Sequence, residues 1–126
     1  MKTKMMIASA LLALTTGVAM ATPTIDVNTG IGPVVADEAS GKTLYTFRKD
    51  RRGKSNCTGS CAASWPPFLV NGTAAANDGS KVIKRADGTL QWATAAGLPL
   101  YFWAGDSAAG DTKGDGVGGV WDAARR

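Results

Sequence analysis

Ten residues of this chain recur 56 positions later. Gly41-Lys42-Thr43-Leu44-Tyr45-Thr46-Phe47-Arg48-Lys49-Asp50 is matched by Gly97-Leu98-Pro99-Leu100-Tyr101-Phe102-Trp103-Ala104-Gly105-Asp106, and both copies read Gly-x-x-Leu-Tyr-x-aromatic-x-x-Asp. Self-similarity of this kind marks one supersecondary unit used twice, each copy covering the other's apolar face. Frequent glycines punctuate short β-rich runs, so the unit is built of strands and turns. The repeat therefore predicts an all-β fold: a small pseudo-symmetric antiparallel sandwich or barrel. Repeat one covers about residues 30–70 and repeat two about 80–122 of a single domain that starts at residue 22.

Within each unit the turn chemistry places the elements. Residues 32–36 read as a strand, 37–41 as a turn and 43–48 as a second strand, the two forming a hairpin. Side chains alternate along a strand, which puts Tyr45 and Phe47 on one face. Residues 59–65 fit one or two helical turns, with Thr58 as cap and Pro66 as stop. Asp87-Gly88 joins strands at 81–85 and 89–93 as a hairpin turn. Residues 98–103 repeat the motif strand, 106–119 form a Gly/Asp loop, and Val120-Trp121 closes the sheet.

The first 21 residues read as a secretory signal peptide. Lys2 and Lys4 give the positive start, an apolar run follows, and Ala19-Met20-Ala21 fits small-x-small cleavage. The apolar run is short for a membrane span. The mature chain is then a soluble periplasmic or secreted domain with no transmembrane segment. Removing Lys2 and Lys4 leaves 12 basic against 10 acidic residues, so net charge does not mark a polycation.

Absent residue types exclude whole chemistries. The chain has no His, and its four Met residues (Met1, Met5, Met6, Met20) all leave with the leader. Histidine acid–base work, His-containing triads, His-ligated zinc, His- or Met-ligated haem and blue-copper sites fall together. No catalytic residue and no cofactor is assigned.

Five groups of residues remain as candidate sites. Cys57 and Cys61 are read as a structural disulfide in an exported chain; their Cys-x-x-x-Cys spacing is not the thioredoxin one. The repeated Tyr45, Phe47, Asp50, Tyr101, Trp103 and Asp106 are read as folding residues. The tyrosines bury their rings, the aspartates cap turns, and each Tyr shares neighbours with the Asp of its own copy, so that effects couple within a copy and are nearly additive between copies unless the motifs touch at the pseudo-dyad. Asp50 and Asp106 facing each other as acid and base is the rarer arrangement. Arg48, Lys49, Arg51, Arg52 and Lys54 form a basic cluster suited to an anionic ligand, with Asp50 partly neutralising it. Asp106, Asp111 and Asp115 could offer oxygens to Ca²⁺, although their spacing is not that of an EF-hand. Finally, Trp65, Trp92, Trp103 and Trp121 supply core rings, with one or two available as a binding platform.

The doubled Tyr-x-[Phe/Trp/Tyr]-x-x-Asp element resembles the bacterial secreted-repeat family of predicted lipoproteins that carry it. The same resemblance runs through Cys57-Thr58-Gly59-Ser60-Cys61-Ala62-Ala63-Ser64-Trp65-Pro66-Pro67, Arg85-Ala86-Asp87-Gly88 and the stretch 110–121. It implies an extracytoplasmic envelope protein and supplies no activity. Two departures stand out. The lipobox Cys is missing, and Asp122 follows Trp121 where relatives often have His. Together these readings point to a non-catalytic binding or structural module for an envelope partner or anionic ligand, not nucleic acid. The alternative is a periplasmic redox or electron-transfer accessory using Cys57 and Cys61.

Overall fold

A computed structural model describes residues 19–126. Most of the leader therefore lies outside the described residues. Six strands pair as three antiparallel two-stranded ladders. β1 (Thr24–Thr29) pairs with β2 (Gly32–Asp37), β3 (Tyr45–Phe47) with β6 (Trp121–Ala123), and β4 (Lys81–Lys84) with β5 (Leu90–Ala93). The fold is all-β and built from two related repeats. Its one α-helix among the described residues, α1 (Ser60–Ser64), lies beside the disulfide.

Four elements differ from the sequence reading. β1 was not foreseen: its Ile25 and Val27 alternate, but Ile25 is exposed, so the strand lacks a clear buried stripe. β2 consequently has β1 as its main partner. The expected hairpin to residues 43–48 survives as the Ala36–Thr43 bridge and the Leu44 N–H bond to the Val35 carbonyl at 2.9 Å. Residues 98–103, expected as the repeated motif strand, form only isolated bridges at Pro99 and Tyr101, because three different short segments bond them in turn. The last difference is the helix cap. The N-cap is Gly59, without a side-chain bond, and Thr58 contributes its carbonyl instead, accepting from Cys61 N–H at 3.1 Å.

The repeat is a physical symmetry of the backbone. In one half, Leu44 N–H donates to Val35, Val35 to Ala124, and Ala124 back to Leu44, at 2.9, 2.8 and 2.8 Å. In the other half, Leu100 donates to Trp92, Trp92 to Phe68, and Phe68 back to Leu100, at 3.0, 2.8 and 2.9 Å. Each half is thus a closed triangle of three chain segments. The third segment is exchanged: Ala124 follows the second motif copy yet completes the first triangle, and Phe68 does the reverse. The first motif residue has one structural job in both copies. Gly41 and Gly97 sit at φ 74° and 87°, a left-handed turn that other residues adopt at a cost.

The six triangle residues pack into one core cluster, and an aromatic stack forms the other. Phe47, Trp121, Trp65 and Trp103 lie face to face in that order, with centroid separations of 4.2, 3.8 and 4.2 Å. Trp65 and Trp121 are both buried and occupy the middle; Phe47 and Trp103 are half-buried ends. Trp92 packs elsewhere, with Leu44, Phe68 and Leu100.

Candidate functional site

The repeated tyrosines meet at the centre of the pseudo-symmetry. Tyr45 and Tyr101 exchange backbone bonds, Tyr45 N–H to the Tyr101 carbonyl at 2.8 Å and the reverse at 3.0 Å. Both side chains are fully buried, and their rings stand edge-on to the stack, Tyr45 against Trp65 and Tyr101 against Trp121. Their hydroxyls then cross over. Tyr45 donates to the Asp106 carboxylate and Tyr101 to the Asp50 carboxylate, each at 2.6 Å. The motifs do touch at the pseudo-dyad, and each Tyr–Asp pair joins two copies. The within-copy pairing is corrected, because strands bonded at Tyr45 and Tyr101 send each ring toward the turn that follows the other strand.

The two carboxylates have unlike surroundings. Asp106 is buried and accepts a second bond from Lys113 N–H at 3.0 Å, while Gly114 N–H donates to the Tyr45 oxygen at 3.2 Å. Asp50 accepts from Asn56 N–H at 2.6 Å. Since Tyr101 spends its proton on Asp50, it accepts from Ser55 Oγ at 2.6 Å. Ser55 in turn accepts from Arg85 at 3.0 Å. Arg85 is buried and also donates to Gln91 at 2.8 Å and to the Cys57 carbonyl at 2.8 Å. Burial pushes the Asp50 carboxyl above its usual range, against the Tyr101 and Asn56 hydrogen bonds and the Arg85 charge. Burial, reinforced by the bonds to Asp106 and Asp50, raises both phenols far above their ordinary value. Sequence reasoning missed Arg85, Gln91 and Ser55. In the sequence Arg85 reads as the end of the strand before the Asp87-Gly88 turn, and only Gln91 within the apolar run 90–93 signals a buried polar partner.

Cys57 and Cys61 are bonded to each other. Cys57 is fully buried in the cluster that holds Trp65, Tyr45 and Tyr101, and Cys61 packs against it.

The basic cluster divides. Arg48 makes a two-pronged ion pair with Asp122, both contacts at 2.8 Å, and its guanidinium holds the Asp122 carboxyl below the usual range. Lys49, Arg51, Arg52 and Lys54 are exposed and belong to neither ion pair found among the described residues. Arg51 and Lys54 exchange backbone bonds at 3.1 and 3.0 Å, which makes the turn tight. Asp50, expected to dilute the cluster, points inward to Tyr101 and Asn56.

The three loop carboxylates do not converge. Asp106 serves Tyr45 and Lys113. Asp111 accepts from Ser107 and Ala108 N–H, which hold it below its usual range, and Asp115 accepts from Ala123 N–H. No group of three His, Cys, Asp or Glu placed to hold a metal ion occurs among the described residues. Nor do Asp50 and Asp106 share a cavity wall in the cleft that Asp106 lines. That cleft, of about 400 Å³, is walled by Pro66, Phe102, Trp103 and Ala104 on one side and by residues of the 37–43 turn on the other.

Taken together, the crossed Tyr–Asp pairs, the exchanged segments and the paired triangles define a two-repeat β protein whose motif joins its halves. Residues 27–68 and 81–125 each match the family described as a secreted repeat of unknown function, and the chain belongs to that family. No curated protein and no solved structure matches it. Among the described residues no helix is long and apolar enough to cross a membrane.

Proposed function

We propose that this protein is a non-catalytic envelope module that docks on an anionic surface through the turn at residues 49–54. One observation carries the reading: Lys49, Arg51, Arg52 and Lys54 project from a tight turn while the one acid among them, Asp50, is drawn inward. The patch is therefore more positive than its sequence. Asp50 is spent on the Tyr101 bond that joins the halves, so the side chains the turn presents outward are basic alone. The motif carboxylates and phenols are occupied with each other, which leaves them with a folding role. The disulfide has the same character, with Cys57 buried and its carbonyl held by Arg85.

The partner class is an anionic lipid headgroup layer. Each basic residue near such a surface contributes about 1 kcal/mol, so four supply roughly a thousandfold in affinity at low salt. The protein should sediment with phosphatidylglycerol vesicles at low ionic strength, release as salt rises, and ignore phosphatidylcholine vesicles. The K49Q/R51Q/R52Q/K54Q variant should lose the binding while melting as the parent does. Retention that survives these substitutions, or that salt does not weaken, would refute the reading.

A further inference from the structure

Residues of both repeats line the cleft beside Trp103. Its walls include Trp103, Ala104 and Pro66. The 56-residue spacing maps these onto Phe47, Arg48 and Asp122. In the first copy, the positions of Ala104 and Pro66 are thus taken by the Arg48–Asp122 ion pair. In the second copy the same two positions carry a methyl group and a proline ring, and the space stands open.

Its volume of about 400 Å³ lies at the lower end of small-ligand sites, room for one ring or two. The apolar wall is already ordered. Trp103 stacks on Trp65 at 4.2 Å, and Phe102 stands edge-on to Phe68 at 5.4 Å. A ligand that lies on them therefore incurs little ordering cost. The opposite wall is polar. Asp37 is oriented by Ala39 N–H at 3.1 Å and by Ser40 Oγ at 2.8 Å, which leaves further lone pairs open. Lys42 brings an ammonium that belongs to neither ion pair found among the described residues. Thr43 is spent on the Asp111 carbonyl and Asp106 on Tyr45. The cleft thus offers an aromatic wall, one acceptor and one donor, with Asp37 and Lys42 of opposite charge.

We infer that this cleft binds a single uncharged sugar ring. A pyranose has an apolar C–H face that suits an aromatic wall. Its hydroxyls both donate and accept, which suits a carboxylate beside an ammonium. A net cation would meet Lys42 and a net anion would meet Asp37, so neither is favoured over the neutral ring. None of residues 49–54 lines the cleft, so this site stands or falls apart from the lipid-docking turn.

Amide and indole N–H chemical shifts of the full chain, titrated with glucose, galactose, mannose and N-acetylglucosamine and with their methyl glycosides, test the inference. At least one sugar should move the Trp103 indole and Phe102 amide signals to saturation and leave the Trp92 indole in place. Methyl glycosides alone would identify the end of a glycan as the source; equal effects would identify a free sugar. Trp103→Ala should weaken binding at least tenfold. Because that change also removes a ring from the stack, Ala104→Arg serves as the second variant. It is exposed, returns the first copy's arginine to the cleft mouth, and should block the sugar with the melting temperature retained. No shift with any sugar, stronger shifts with tetramethylammonium or benzoate, or sugar binding unchanged in Ala104→Arg would each overturn the assignment.

Discussion

The two Tyr–Asp pairs are the same device in two settings, and the settings differ at one point. Asn56 N–H bonds Asp50 as Lys113 N–H bonds Asp106, so the residues that follow, Cys57 and Gly114, correspond. In the first setting Cys57 is tethered to Cys61, and its carbonyl is bonded by Arg85. In the second setting nothing covalent intervenes; Gly114 lets the backbone lie directly on Tyr45 and Trp65. A related contrast runs through β2 and β5, where Val34 faces the aromatic cluster and Gln91 joins the Arg85 network. One half is held by a crosslink and buried polar bonds, the other by close apolar approach. The lesson is that a duplicated motif preserves the junction between its copies and leaves each copy free to support it by different means.

Gly114 should be the more fragile support. A Cβ there would lie 2.8 Å from Tyr45 Cζ and 2.9 Å from Trp65, and neither ring has space to retreat. Gly114→Ala should cost about 3 kcal/mol, the upper end for overpacking. Opening the disulfide by Cys57→Ser with Cys61→Ser should cost about 2 kcal/mol, because the loop it closes is short. Urea melts of the two variants rank the supports; a larger loss in the cysteine variant would reverse the comparison.

Next in size are the tyrosine bonds. Tyr45→Phe and Tyr101→Phe should each cost about 1–2 kcal/mol by leaving a carboxylate short of a donor. Double-mutant cycles should find the coupling between Tyr45 and Asp106 and between Tyr101 and Asp50. The within-copy pairs, Tyr45 with Asp50 and Tyr101 with Asp106, should be closer to additive. Coupling in the within-copy pairs instead would contradict the crossed geometry.

The smallest effect appears only in alkali. Both phenols titrate higher in the fold than in the open chain, so their contribution is complete below an ordinary phenol value of about 10. It is lost as pH rises from there toward the folded values, at no more than about 1.4 kcal/mol per pH unit per tyrosine. Stability measured from pH 9 to 11 should fall more steeply in the parent than in the double Phe variant, each tyrosine accounting for about half of the difference. Equal slopes would mean that the phenols ionise freely.

Much of this arrangement was legible because it repeats. The Gly-x-x-Leu-Tyr pattern marked the turn ending at Gly41, the strand after it and a related unit from Gly97. The same spacing relates Trp65 to Trp121, a signal for the central stack that the motif alone did not display. What stayed hidden depends on partners distant in sequence. Periodicity places a side chain on a face but does not say which strand lies opposite, so Tyr45 could not be assigned to Asp106 before Tyr101 was known to lie beside it. Arg48 and Asp50 looked like members of one charged cluster. Asp122 takes the first and Tyr101 the second, and neither is near them in the chain. The cleft was invisible for the same reason, since its walls come from residues 37–43, 66 and 102–106, which are distant in the chain.

The exchanged third segment bears on when this chain can fold. The first triangle waits for Ala124, almost the last residue, and the second cannot close without Phe68, which lies before its own strands begin. A nascent first repeat has its strands and turns but no way to seal them, and closing such distant contacts is slow. Neither half is therefore a folding unit by itself, and the two must close together.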